Sequence, residues 1–342
     1  MKIEWITDWE RIFCPEFQDR WRRLLKEAAA PHVFFSPELV EAWVTTYRPL
    51  RQISPQFLWI ESDEGTLFWP LVLWRQNWKN AFCNRLIAVG YSDFDYAEPI
   101  CSGNREKLLQ GALEVISTRT DYDQVDIAGL RENPSLEKEE QFCPVCRLDS
   151  YLDGEDFLKK AKKSLREDVR RQFNRTKERG ELSLRSCSLQ EAIEELPVFL
   201  NAHRQRWPHA YKAPHFHENI LRMGMPSGTV RFDCLTLNGQ SIAWHLGYHF
   251  DRRFYYYMPA TDMDFQKLSP GKLLLYKLVE RAIAEGDLIF DHLRGDENYK
   301  SGWTNEIRAL WKFHECRNSF AGHIKFFWLD KVKPFFSRQI WQ

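Results

Sequence analysis

The chain has 342 residues and no net charge, because its 48 basic and 48 acidic side chains cancel. That balance removes any global electrostatic case for nucleic acid or an anionic membrane and leaves only local patches to carry one. No nucleic-acid partner is expected. No uncharged run reaches the eighteen or so residues that a membrane-spanning helix needs. The opening stretch, MKIEWITDWERIF, has charges throughout and lacks the apolar segment of a signal peptide. The eight cysteines fall at irregular spacings, which excludes the disulfide framework of a small secreted domain. These absences together describe a soluble, cytoplasmic protein with reduced thiols. Cys143 and Cys146 form a lone C-x-x-C without the second pair a zinc site requires, and His215 and His217 have no acidic or cysteine partner nearby in sequence. No metal is expected.

What is present is apolar content of 44%, in a chain longer than one hydrophobic core usually serves, so two domains are expected. The clearest strands run Thr229 to Leu237, Gln240 to Phe250 and Arg253 to Met258, with Asn238-Gly239 and Asp251-Arg252 as the turns of an antiparallel meander. A helix from about Lys272 to Glu285 follows, with Leu275, Leu278, Val279 and Ala282 on one face, and then a short strand from Leu288 to Leu293. The first half repeats this order. Strands at Gln56 to Glu61, Thr66 to Arg75 and Arg85 to Val89, a helix near Glu106 to Ser117 and a strand at Gln124 to Ala128 predict a second copy of the same α/β unit. The domains are expected at 1–150 and 151–342. The second is entered by a basic linker helix near 156–179, whose apolar stripe is Phe157, Ala161, Leu165, Val169 and Phe173. Ten Lys or Arg against three acidic residues make its other face a solvated surface or an attractor of anions. The C-terminal HIKFFWLDKVKPFFSRQIWQ mixes aromatic and basic residues, either packed back onto the domain or interfacial.

Two stretches carry chemistry. Gln266-Lys267-Leu268-Ser269-Pro270-Gly271 lies between a strand and a helix, where unpaired backbone N–H groups and small residues form an anion cradle or plain capping. It is neither G-x-x-x-x-G-K-[ST] nor G-x-G-x-x-G. The second is FDHLRGDENYKSGW, residues 290–303, where an apolar strand runs directly into a dense group of ionisable residues.

The meander, the loop, the helix and the further strand resemble the second half of a GNAT-type N-acetyltransferase. That superfamily grips the acyl-CoA pyrophosphate with a Q/R-x-x-G-x-G/A loop, whose defining positions are occupied here by Gln266, Ser269 and Gly271. "SPGKLLL", "FDHLRGDENYKSGW", "RRQFNR", "FFSPELVEAW" and "HRQRW" look like the CelD-like acetyltransferase family of bacterial polysaccharide synthesis. More distantly the chain resembles the Fem-type aminoacyltransferases, which join two such units and build peptidoglycan cross-bridges. The resemblance implies a mixed α/β (α+β) fold of two tandem GNAT-like units, each a mostly antiparallel sheet flanked by helices, with the first degenerate. It implies acetyl-CoA or another acyl-CoA as donor, bound by Gln266, Ser269, Gly271 and Lys272. The acceptor it implies is an amine or hydroxyl of a sugar or glycan precursor. Association with a membrane glycan-synthesis complex at the inner face of the membrane follows from the same resemblance.

Acyl transfer needs a proton acceptor, oxyanion donors and an acid for the departing thiolate. Asp291 inside its strand, His245 mid-strand beside the cofactor strand, Tyr299 and Lys300 are the candidates. Arg294, Asp296, Arg206, Trp207 and, in the first half, Asp95 are expected to contact the acceptor. Each has a plainer alternative: Asp291 as a cap or structural ion pair, His245 as a satisfied core histidine, Tyr299-Lys300 as a surface turn, Asp95 as a loop residue. Two other functions remain open, aminoacyl transfer to a peptidoglycan precursor and a non-catalytic role beside a polysaccharide synthase.

Overall fold

The computed structural model describes residues 1–77, 80, 82–131, 135–208, 212–317, 324, 325, 327 and 328. The aromatic and basic tail therefore lies mostly outside the described residues. The chain divides into two compact units, Met1–Glu140 with Leu310–Gln342, and Gln141–Ala309. The second begins close to the expected boundary, but the stretch from Leu310 onward groups with the first.

The first unit contains strands β1 (Lys2–Ile6), β2 (Ile53–Pro55), β3 (Phe57–Ser62), β4 (Gly65–Trp69), β5 (Leu71–Arg75), β6 (Asn84–Ala88), β7 (Ile100–Gly103) and β8 (Gln124–Arg131). Its helices are α1 (Trp9–Ile12), α2 (Pro15–Glu27), α3 (Pro37–Tyr47) and α4 (Arg105–Ser117). The stretch expected as one strand from Thr66 to Arg75 is broken at Pro70, and the halves join different sheets: β4 pairs with β3 and β7, β5 with β2 and β6. Proline has no N–H for a ladder, so the break falls where the chain changes partners. Parallel pairing of β6 with β8 covers Arg85–Gln124, Leu86–Val125 and Ile87–Asp126, and α4 lies between the two strands in sequence.

β9 (Glu137–Arg147) leads into the second unit, which holds α5 (Gly154–Lys160), α6 (Lys163–Lys177), β10 (Leu182–Ser186), α7 (Leu189–Arg206), α8 (Phe216–Gly224), β11 (Val230–Leu237), β12 (Gln240–Phe250), β13 (Arg253–Thr261), α9 (Pro270–Ala284) and β14 (Ile289–Asp291). β15 (Glu306–Cys316) then carries the chain back to the first unit. The strand order is β10-β11-β12-β13-β14-β9, antiparallel except for the β13–β14 pair. Both hairpin turns have left-handed φ at their two central residues, Asn238 (51°) and Gly239 (82°), then Asp251 (49°) and Arg252 (54°), as two-residue loops between twisted strands demand. The copies expected from the sequence thus share a pairing rule. In each, a meander strand pairs in parallel, over three positions, with a strand that follows the helix.

The core of the second unit forms where Leu274, Leu278 and Val279 of α9 meet Phe254, Tyr256 and Phe290 on the sheet. The basic linker is two helices, not one: Ala161 caps α5 in an extended conformation, and α6 starts after Lys162. Phe157 stacks on Trp303 with centroids 5.9 Å apart, and Val169, Leu165 and Phe173 pack on the same core. Lys162, Lys163, Arg170, Arg171, Arg175 and Lys177 are left exposed. No helix among the described residues is long and apolar enough to cross a membrane.

Asp233 is fully buried, and Arg281 of α9 meets it with two hydrogen bonds, 2.6 and 2.7 Å, while Ser186 adds a third at 2.9 Å. Burial alone would raise this carboxyl, but the Arg281 hydrogen bonds outweigh it and hold the group ionised. Arg281→Met should therefore cost about 3–5 kcal/mol, because it strands a buried charge, whereas Arg281→Met with Asp233→Leu should recover most of that loss. Chemical denaturation of the three proteins measures this. A single variant as stable as the wild type would show that the pair holds nothing.

Three further buried imidazoles in this unit stay neutral: burial lowers His203 to about 4, burial with Lys212 lowers His217 to about 3, and burial with Lys300 lowers His292 to about 3. In the unfolded chain each titrates near 6.5. Their folded values are depressed, so the unfolded state binds more protons below pH 6.5. Stability is untouched above that value and falls on acidification towards 4, by about 1.4 kcal/mol per pH unit for each histidine. Urea midpoints between pH 6 and 4.5 should show a shallower decline in His203→Gln than in the wild type. Parallel declines would mean that His203 is not held neutral.

Candidate functional site

β13 and β14 pair only at Arg253–Ile289, Phe254–Phe290 and Tyr255–Asp291, after which β13 runs on alone to Thr261 along that edge. Pro259, which cannot donate to a ladder, falls on this unpaired length. Beside it opens a cavity of about 480 Å3. Its walls are Tyr256, Pro259, Ala260 and Thr261 of β13, the segment from Met263 to Lys272, Leu275, Arg206 and Trp207 at the end of α7, and Tyr299 with Trp303. The cofactor residues read from the sequence, Gln266, Ser269, Gly271 and Lys272, are thereby brought together with Tyr299, Arg206 and Trp207.

The cradle begins at Ser269, the residue preceding α9, whose φ of 51° and ψ of 53° are left-handed. Its carbonyl accepts from Lys272 (3.0 Å) and Leu273 (3.3 Å), and Pro270 has no N–H. Among the described residues the Gly271 amide has no acceptor. It stands at the N-terminus of a fifteen-residue helix with its dipole behind it. A Cβ on Gly271 would meet Thr261 Cγ2 at 3.1 Å, so the helix start and the strand end can close this tightly only with glycine. Lys272 is less free than its sequence position suggests: its ammonium is paired with Asp168 of α6, and burial lowers its pKa.

Arg206 and Lys272 are the charged residues of this lining, and no carboxylate or imidazole of the described residues joins them. An anionic ligand fits such a wall. Two phenols face it as well. Burial raises Tyr256 and Tyr299 well above the ordinary tyrosine value, with Arg206 opposing the shift in both, so each is a neutral O–H donor at pH 7. They suit protonation of a leaving group or hydrogen bonding to an oxyanion, and are poor bases. The sequence reading missed Tyr256. Its signal was the run Tyr255-Tyr256-Tyr257, in which the two-residue period aims only the middle ring at this face.

The other candidates lie outside this lining. His245 is fully buried, its ring stacked on Tyr256 at 4.7 Å and on Phe254 at 5.4 Å, with Nδ1 4.0 Å from Asp233; a Cβ at Gly247 would meet the imidazole Cε1 at 2.1 Å. It is placed as a core histidine, held below its usual pKa by burial. Asp291, also fully buried, accepts from the Leu293 amide at 2.9 Å and faces Arg253 Nη1 at 3.5 Å. Its cation comes from the paired strand, not from Arg294, Lys300 or His245. Lys300 donates to the Arg294 carbonyl (2.9 Å) and pairs with Glu297 (2.7 Å), which closes residues 294–300 into a brace. Asp296 is exposed, and Asp95 belongs to the first unit.

Residues 163–301 match the family model described as an acetyltransferase (GNAT) domain. No curated protein matches the chain. Among solved structures it is similar to FemX, with 9% identity, a TM-score of 0.65, and 97% of this chain covering 100% of that one. A conserved protein of unknown function from Bacteroides thetaiotaomicron shares 11% identity, a TM-score of 0.59, and coverage of 91% and 99%. The C-terminal domain of a putative lysylphosphatidylglycerol synthetase from Agrobacterium fabrum gives 11%, 0.56, and 92% and 95%. These likenesses concern the fold. The matched segment contains the loop, α9 and both phenols, and it supports an acyltransferase built from GNAT-like α/β units.

Proposed function

We propose that the cavity beside β13 binds an acyl-CoA, acetyl-CoA in the simplest case, and that the protein moves its acyl group to an amine or hydroxyl of a sugar-based acceptor. The observation that carries this reading is the unpaired Gly271 amide at the start of α9, opening into a cavity that holds Arg206 and Lys272 but no acidic side chain. A pyrophosphate suits that helix start, and Pro259, Ala260, Leu275 and Trp303 offer apolar contact to a thin aliphatic arm. In the transfer the acceptor N–H or O–H gives up its proton, a C–N or C–O bond forms, the C–S bond breaks, and CoA leaves as the thiol. Tyr299 or Tyr256 is the proton donor to that sulfur. The sugar acceptor rests on the resemblance to the CelD-like family.

Aminoacyl transfer is the second reading. Pro270 removes one backbone donor, Lys272 is engaged by Asp168, and the fold of FemX covers nearly the whole chain.

A ligand present at a hundred times its Kd stabilises the native state by about 2.7 kcal/mol, which is readable as a melting shift. Acetyl-CoA should raise the Tm of the wild type and fail to raise that of Gly271→Asp, whose carboxylate would face the phosphates. Ser269→Gly relieves a left-handed non-glycine residue and should raise the Tm of the free protein, by up to about 1 kcal/mol of stability. No shift with acetyl-CoA, CoA or longer acyl-CoAs would end the acyl-CoA reading and leave aminoacyl transfer or a non-catalytic partnership.

A further inference from the structure

A second cavity of about 480 Å3 lies in the same unit, and the acyl-CoA reading leaves it unused. Its walls come from the C-terminal half of α7 (Leu196, Leu200, His203, Arg204), the first turn of α8 (His217, Glu218) and Met258 of β13. Pro208 and Lys212 to His215 complete it. Three observations bear on what it holds. His217 is 7% exposed and its Nε2 is buried without a hydrogen-bond partner, a cost of about 1–3 kcal/mol that a native site retains only if something completes it. Arg204 and Lys212 are close enough to lower the His217 pKa, and Arg204 makes no ion pair among the described residues. The acidic group of the lining, Glu218, is already held by Arg222 at 2.8 Å and His215 at 3.3 Å. The cavity is therefore cationic, with an imidazole that lacks a partner.

Its position adds a role. Arg206 and Trp207, immediately after His203 and Arg204, line the first cavity, and Tyr256 and Pro259 flank Met258 on β13. His203 stacks on Trp207 with centroids 4.7 Å apart. The same two chain segments thus wall both cavities.

We propose that this second cavity binds the acyl acceptor, and that the acceptor is a small hydroxylated molecule carrying a phosphate or carboxylate: the anion meets Arg204 and Lys212, and a hydroxyl completes His217 Nε2. The volume suits a monosaccharide with one such group. The role as acceptor site rests on the acyl-transfer reading. The binding chemistry does not.

Calorimetric titration separates the two. Glucosamine 6-phosphate and glucuronate should bind the wild type at least about tenfold more tightly than glucosamine, the loss expected when a charge-assisted hydrogen bond is absent. Arg204→Gln should erase that preference and leave the weak glucosamine binding as it was. His217→Leu should weaken all three sugars alike, since it removes the hydroxyl partner and not the charge. Gly271→Asp should bind glucosamine 6-phosphate as the wild type does. Glucosamine 6-phosphate binding in a protein that ignores every acyl-CoA would sink the acyl-CoA reading and keep this site. An acetyl-CoA shift without any preference for the charged sugars, or a preference that survives Arg204→Gln, would overturn this site and keep the other. A glycolipid phosphate in mixed micelles, titrated beside glucosamine 6-phosphate, tells a lipid-borne source from a soluble one: tighter binding in micelles assigns the lipid, equal or weaker binding the free sugar. Absence of binding by every probe overturns the proposal.

Discussion

Three residue pairs hold β13 to β14, and the second unit depends on their ending where they do. Had the pairing continued, the edge of β13 from Tyr256 to Thr261 would be spent on a ladder and no cleft would open there. The pairing is stopped chemically. Asp291 turns its carboxylate back to the Leu293 amide, Leu293 takes a left-handed φ of 58°, and Lys300 ties the following loop to the Arg294 carbonyl. Pro259 on the facing strand withholds a donor. The ionisable cluster that follows the apolar strand is thus largely a device for ending a sheet, and Tyr299, carried on the braced loop, is the member of it that reaches the cavity.

Electrostatics divides the unit by depth. Inside, charge is cancelled: Asp233 has Arg281, Asp291 has Arg253, and His203, His217 and His292 are held neutral. At the cavities it is left unbalanced and positive, with Arg206 and Lys272 on one and Arg204 and Lys212 on the other. A neutral chain with 48 charges of each sign can therefore still present anion-seeking walls.

The parts of this arrangement written in local chemistry were legible in the sequence. Asn238-Gly239 fixes its hairpin because both residues tolerate positive φ, and the 3.6-residue spacing of α9 shows which face is buried. Gln266 to Lys272 was found because small residues at a helix start have few other uses. Partner identity was hidden. Nothing near Lys300 in sequence announces that it braces a loop, and nothing near His245 announces two aromatic rings. Arg253 reaches Asp291 across a parallel pairing 38 residues away in the chain. The linker read as a single helix failed for a related reason, since the four-residue repeat of Phe157, Ala161 and Leu165 continues through a break that only packing on Trp303 and α9 demands.

Placing the phenols and cations on the end of α7, on β13 and on the braced loop also limits which of them can change. Tyr256 is fixed by the stack that buries His245, so its hydroxyl cannot move without loosening the core beneath it. Tyr299 sits on a loop held by a few polar contacts and can adjust at much lower cost. Of two neutral phenols in one cavity, the rigid one suits the fixed demand of an oxyanion, whose donor must already be in place when charge develops. The adjustable one suits a departing sulfur, which moves as its bond breaks. This division of labour follows from what each ring is packed against, and it makes Tyr299 the proton donor and Tyr256 the oxyanion's partner.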